Sequence, residues 1–215
     1  MHKKKNFFIT FEGIEGSGKS YQSKKLFNKL KKIKLPVVYT REPGGTESAE
    51  IIRKIILTDY FSHKAKDKFD KNTDTLLYLA ARNEHIKNKI KPAILKKKII
   101  ICDRFIDSTF AYQVYGKGVN KNFVKSVHKY ILGNIRPDLT FILKVSINKD
   151  LQRLKKRKKK NRYDKFSKNF YIKAQKAFMK ISKSNKKRYI VIDSSKDTPL
   201  TEKIIFNKFM NRFYK

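Results

Sequence analysis

Apolar and polar positions alternate along the chain in blocks whose spacing switches between strand-like and helix-like. Asn6–Phe11 (NFFITF) predicts a buried strand, and it runs into a glycine-containing turn at Glu12–Ser20. A helix follows to about Lys32, with Leu26, Leu30 and Ile33 on one face. Pro36–Thr40 predicts a second strand, ending in Arg41-Glu42-Pro43-Gly44-Gly45-Thr46. Helical spacing covers about Glu47–Leu57 and Asn72–Lys96. Ile99–Cys102 (IIIC) is wholly apolar, the pattern of a strand in the middle of a parallel sheet. Helices are expected around Asp107–Tyr115 and Asn122–Leu132, and a fourth strand at Leu139–Val145. After one more helix come a fifth strand at Tyr189–Ile192 and a closing helix near Leu200–Phe213. Strands alternating with helices mean βαβ units with right-handed crossovers, hence an α/β fold with a doubly wound parallel sheet. There is no internal repeat and no Gly/Ser/Pro-rich linker, so residues 1–215 are read as a single domain.

Charge complicates this picture before it helps. The chain carries 54 basic and 18 acidic residues, a net charge of +36. Clustered cations suggest a nucleic-acid binder, because they release counterions from phosphate backbones. Yet 44 of the 54 are Lys and only 10 are Arg, beside 24 Ile and 14 Asn. Those are the residues of AT-rich codons, and phosphate recognition favours the planar fork of Arg. The charge is therefore read as compositional drift, and no specific nucleic-acid partner is expected. One cysteine excludes an internal disulfide framework and a multi-cysteine metal site. No apolar run approaches the roughly 20 residues of a membrane span. MHKKKNFFIT reads as a first strand, not a signal peptide. A cytoplasmic protein with no membrane partner is expected. Lys155–Lys160 (KKRKKK) is by itself a solvated charge run.

One motif carries chemistry. Gly13-Ile14-Glu15-Gly16-Ser17-Gly18-Lys19-Ser20 matches G-x-x-x-x-G-K-[ST], after a predicted strand and opening a predicted helix. Its glycines let backbone N–H groups turn inward around a phosphate, and the helix adds its positive end. Lys19 would reach the β- and γ-phosphates of ATP, and the Ser20 hydroxyl would bind Mg2+. Asp103-Arg104 closes the third strand. Such a pair can be a plain surface salt bridge, but beside a phosphate loop the acid stands where the metal's water shell is held. His2, His63, His85 and His128 lie in polar stretches and receive no role. Cys102 is read as a small buried apolar residue.

Further stretches extend the pattern: REPGGT at Arg41–Thr46, LLYLAAR at Leu76–Arg82, DRFIDSTFAYQ at Asp103–Gln113 and RPDL at Arg136–Leu139. In this order, and with the loop FEGIEGSGKS, the chain resembles the bacterial thymidylate kinase family from about Phe7 to the last helix. The resemblance implies a P-loop kinase fold with a five-stranded parallel sheet and a mobile basic lid at about 150–165. It implies transfer of the γ-phosphate of ATP to dTMP with Mg2+, and a homodimer through helices in Phe69–Ile90 and Ile106–Leu132. Arg41 and Arg104 would hold the dTMP phosphate. Tyr78 would stack on thymine, where Phe is commoner in the family, and Arg82 would meet the base carbonyl. Thr109, Gln113 and Tyr112 would line the nucleoside pocket. Glu15 would approach the deoxyribose and the metal, together with Ser20 and Asp103. With Gly16 after the loop acid, the lid arginines Arg153 and Arg157 would complete the catalytic set of Lys19, Glu15 and Arg104. Asn161 stands where an Asp usually precedes the lid arginine matching Arg162, and Lys144 replaces a common acid. The alternatives are another nucleoside monophosphate kinase, for example one accepting dUMP, or a basic NTP-dependent nucleic-acid-binding protein. A net +36 repels itself, so the melting temperature is expected to rise with added salt; a salt-independent melt would refute that.

Overall fold

A computed structural model describes residues 6–58, 69–148, 152–153, 162–195 and 199–214. Its framework is five parallel strands: β1 (Phe7–Glu12), β2 (Val37–Arg41), β3 (Ile99–Asp103), β4 (Leu139–Lys144) and β5 (Tyr189–Asp193), in the order β2-β3-β1-β4-β5. The register aligns their carboxyl ends, pairing Phe11 with Asp103, Arg41 with Asp103 and Glu12 with Ile142. The order reverses direction around β1, where the chain crosses from one half of the sheet to the other. Ligands of open α/β sheets bind in the crevice at such a switch point.

The helices divide between two faces because successive strand side chains point to opposite sides. Ile9, Phe11, Ile99, Ile101, Leu139 and Phe141 pack against Leu26 and Leu30 of α1 (Lys19–Lys32) and Ile205 and Phe209 of the last helix, α8 (Pro199–Phe213). The alternate residues Phe8, Ile100 and Cys102 meet Ile86, Ile90, Ala93 and Leu132 on the other face. These come from a long rod and from α6 (Lys121–Leu132); the rod is α3 (Lys71–His85), a π-turn at Ile86–Ile90, and α4 (Lys91–Leu95). A third cluster joins Ile142 and Tyr189 to Ile56 of α2 (Glu47–Leu57) and to Tyr112, Tyr171 and Phe178. Tyr112 lies in a π-helical stretch, Phe110–Gly116, that continues α5 (Ile106–Thr109); Tyr171 and Phe178 lie on α7 (Lys168–Ser182).

Polar residues set the helix starts. Thr46, Asp70, Asn120 and Ser167 cap α2, α3, α6 and α7 with side-chain oxygens. The Thr of REPGGT is thus a cap, accepting from Ala49 N–H at 3.3 Å. The fold class and strand positions agree with the sequence reading. The bounds of α7, which that reading does not place, follow from its apolar stripe of Tyr171, Ala174 and Phe178. The basic run and Arg157 lie outside the described residues. No helix among the described residues is long and apolar enough to cross a membrane.

Candidate active site

Gly13–Ser20 wraps the carboxyl end of β1 and opens α1. Gly13 has φ +137°, and a Cβ there would lie 2.4 Å from the Leu143 carbonyl oxygen, so only glycine fits. Ile14 sends its side chain into the core and offers the loop only its backbone. The Lys19 ammonium lies over the loop, donating to Ile14 O at 2.5 Å and Ser17 Oγ at 3.3 Å. Ser194, just after β5, steadies the loop from outside by donating to Ser17 O at 2.8 Å. Arg153 reaches across to Gly16 O at 3.0 Å, which places it on the phosphate loop. Ser20 donates to Oδ2 of Asp103, whose Oδ1 is buried with no hydrogen-bond partner. A hydroxyl beside an orphaned carboxylate oxygen is a donor set that fits Mg2+. Among the described residues no group of three or more His, Cys, Asp or Glu could hold a metal, so the ion's remaining ligands would be phosphate oxygens and water.

The predicted substrate residues converge on one cavity of about 470 Å3 that opens at the loop. Its lining includes Arg41, Tyr78, Arg82, Arg104, Tyr112 and Gln113. Arg104 sits in the left-handed region at φ +71°. Its guanidinium donates to Gly13 O at 2.9 Å, Ser108 Oγ at 3.0 Å and Glu15 Oε1 at 2.7 Å. Tyr112 donates to the other oxygen of Glu15 and lies 5.3 Å under the Arg104 guanidinium. Burial alone would raise the Glu15 carboxyl, but Arg104 and Lys19 hold it below the usual range. Arg41 is half-exposed and paired with Glu50 at 3.0 Å.

Arg53, absent from the sequence reading, lines the same cavity and donates to Pro43 O at 2.6 Å. Burial and the neighbouring Arg41 charge push its guanidinium down, as expected where cations gather ahead of an anion. Tyr163 also lines the cavity; it accepts from Gln113 Nε2 at 3.1 Å and meets Tyr78 edge-on at 6.2 Å. Arg162, by contrast, clasps buried Asp74, which Lys117 also grips at 2.7 Å.

Arg82 is buried, and all its donors are used within the protein. Nε and Nη2 hold Glu42 Oε2 at 2.8 and 2.7 Å. Nη1 donates to Thr109 Oγ1 at 2.8 Å and His128 Nε2 at 2.6 Å, and Nη2 to Phe105 O at 3.1 Å. His85 donates from Nδ1 to Glu42 Oε1 at 2.9 Å, while its Nε2 meets Thr40 Oγ1 at 2.6 Å. The reading of His85 and His128 as roleless polar-stretch residues is therefore corrected: both are buried and hold the Glu42–Arg82 pair. Burial and then Arg82 push the His128 imidazole down to about 2, so it is neutral and accepts from Arg82. The signal is spacing: Tyr78, Arg82 and His85 fall on one face of α3, and Val124, His128 and Leu132 on one face of α6. Gly45 belongs to the same arrangement: a Cβ there would strike Thr40 Oγ1 at 2.4 Å and the His85 ring at 2.8 Å.

The family model for thymidylate kinase matches residues 11–205. The chain belongs to the thymidylate kinase family. It is 46% identical over 178 residues to the thymidylate kinase of Wolbachia pipientis wMel, covering 81% of this chain and 84% of that protein. It is 43% identical over 192 residues to that of Mycoplasma capricolum, covering 88% of each. The crystal structure of thymidylate kinase from Ehrlichia chaffeensis superposes with a TM-score of 0.75 at 34% identity, over 96% of this chain and 99% of that one. The family match spans every motif described above, from the phosphate loop to the base of α8.

Glu12 supports this site without facing the cavity. Its oxygens accept from Phe105 N–H at 2.7 Å and Ser108 Oγ at 2.6 Å, so it holds the turn that carries Arg104. Burial, then the charge of Asp107, push its carboxyl up to about 7 from the ordinary 4.5. Between those values the folded chain holds a proton that the unfolded chain releases, so this group makes stability fall as pH rises through the window. Glu12→Gln retains an acceptor for Phe105 N–H and cannot ionise. Denaturant titrations from pH 4.5 to 7 should show a flatter stability profile in Glu12→Gln than in the parent. Parallel profiles would mean that Glu12 is ionised throughout.

Proposed function

We propose that this chain transfers the γ-phosphate of ATP to dTMP, giving dTDP and ADP. The observation that carries this reading is that Arg41, Arg53 and Arg104 surround the same cavity on which the phosphate loop opens. One end of the cavity suits a triphosphate, and the arginines suit a second phosphate group facing it. The acceptor phosphate has a second pKa of about 6, so it is largely dianionic at neutral pH and needs no general base. Catalysis is then in-line positioning and charge stabilisation. Lys19 holds the β- and γ-phosphates, and backbone N–H groups of Gly13–Ser20 cradle them. Ser20 and Asp103 would hold Mg2+, which would supply neutralisation of the polyphosphate charge. Arg104 holds the acceptor phosphate while Glu15 and Tyr112 fix its guanidinium and contact the deoxyribose. Tyr78 supplies the aromatic face for thymine. Thr109 and Gln113 form the pocket wall, and Arg82, also in the lining, holds Thr109 in place and turns its positive charge toward the base carbonyl.

Residues of about 150–165 act as the lid of this single catalytic domain. Arg153, already at Gly16 O, and Arg157 stabilise the moving phosphoryl group when the lid closes. The enzyme works as a cytoplasmic homodimer. Leu76 on α3 and Tyr130 on α6, 49% and 91% exposed on helices that pack together, offer an apolar face for the partner.

The test is ADP formation from ATP and Mg2+ at moderate salt, with dTMP, dUMP, dCMP, dGMP, AMP or single-stranded DNA added as acceptor. Turnover should be far highest with dTMP and unaffected by DNA. Turnover that needs DNA, or none with any monophosphate, would overturn the reading. Arg53→Ala removes one charged contact to the acceptor phosphate. It should raise the KM for dTMP by about 10- to 100-fold and leave the KM for ATP unchanged. Equal effects on both constants would place Arg53 in the scaffold instead.

A further inference from the structure

Arginine is scarce in this chain, and its placement is not random. Nine of the ten arginines are described; five line the nucleotide cavity, and Arg162 clasps Asp74. The remaining three, Arg136, Arg188 and Arg212, all line one second cleft of about 500 Å3. Among the described lysines, Lys19 and Lys24 line the first cavity and Lys187 the second. Eight of the nine described arginines thus line the two concave sites, in a chain whose cations are mostly Lys. The first of these is built for phosphate.

The second cleft lies at the opposite end of the sheet. Phe7 begins β1, Asp138 directly precedes β4, and Arg188 directly precedes β5. Arg212, in the last turn of α8, is exposed and makes no hydrogen bond or ion pair among the described residues. Arg136 donates only to the carbonyls of Gly133 and Ile135, leaving its charge unneutralised by these contacts. Arg188 is anchored by Asp107 at 2.5 Å and Thr140 Oγ1 at 3.1 Å, so it forms a fixed wall. The one acid among the described lining residues, Asp138, accepts from Phe8 N–H at 2.7 Å. The cleft is therefore cationic, with one rigid and two adaptable guanidiniums, Lys187 beside them, and an aromatic floor at Phe7.

We propose that this cleft binds a phosphate-bearing anion independently of the nucleotide site. Guanidinium forks fix the directions of two oxygens at once, whereas ammonium groups do not, so a built site is sensitive to Arg→Lys exchange at constant charge. General attraction to a +36 surface is insensitive to that exchange.

Inorganic tripolyphosphate should be titrated calorimetrically into the chain at about 0.15 M salt. The background is Lys19→Ala, which weakens the phosphate-loop site. Arg136→Lys/Arg212→Lys preserves the net charge. It should weaken the remaining binding about tenfold or more without shifting the melting temperature or, in the unmodified background, kinase turnover. Arg212→Lys alone breaks no hydrogen bond or ion pair among the described residues and should give part of the loss. Equal affinity in parent and variants, or no binding beyond the phosphate loop, would overturn the proposal. Competition separates the sources of phosphate. Displacement of the probe by a nucleoside triphosphate but not by oligothymidylate identifies a soluble nucleotide, and the reverse identifies a nucleic-acid strand.

Discussion

The buried pairing of Arg82 with Glu42 is the interaction on which the site depends. A guanidinium taken out of water is costly unless every donor finds a partner. Here they do, and the partners come from four places: Glu42 after β2, Phe105 after β3, Thr109 on α5 and His128 on α6. His85 completes the arrangement by holding the other oxygen of Glu42. Burial would raise the Glu42 carboxyl, yet Arg82 and His85 keep it below its ordinary value and hence charged. The floor of the substrate cavity is therefore one hydrogen-bonded unit. Removing Arg82 or Glu42 alone strands the other's charge in the interior, with an expected cost of about 3–5 kcal/mol.

Much of this was legible in the sequence because the signals were of the right kind. Apolar runs such as IIIC located the central strands, and the phosphate loop combines rare residues at fixed spacing. Asp103, Ser20, Glu15, Tyr112 and Arg104 could be assembled from motifs because each belongs to a stretch that starts at the end of β1 or β3. The residues that escaped notice lie where composition hides them. Arg53 is one of two adjacent cations in α2, and nothing local reveals that the helix turns it, and not Lys54, toward the cavity. Tyr163 is a lone aromatic beside a basic run. His85 and His128 are surrounded by polar residues in sequence but buried in space, because helix packing decides burial and neighbours along the chain do not. Arg82 was assigned to the substrate, and its dense internal bonding shows how far a motif residue can serve the scaffold as well.

The acidic residues tell a complementary story. Only 18 offset 54 cations, and six of them, Glu12, Glu15, Glu42, Asp74, Asp103 and Asp107, are held on or just behind the cavity walls. Each has a named duty: fixing a guanidinium, holding a turn or presenting an oxygen. The lysine excess thus surrounds an interior in which each of these acids has its own partner. A positive exterior also draws anionic substrates toward the surface, an effect that weakens as ionic strength rises.

Arg104 carries the last consequence. Its backbone occupies a conformation that side-chain-bearing residues adopt at a cost of about 1–3 kcal/mol, secured by its own N–H to Phe11 O and by Glu12 on the following amide. Glycine would relax that torsion and delete the guanidinium in the same step. It would also leave the largely buried Glu15 carboxylate without its cation, so the strained backbone is kept in place by what the guanidinium holds: Glu15, Ser108 and the Gly13 carbonyl.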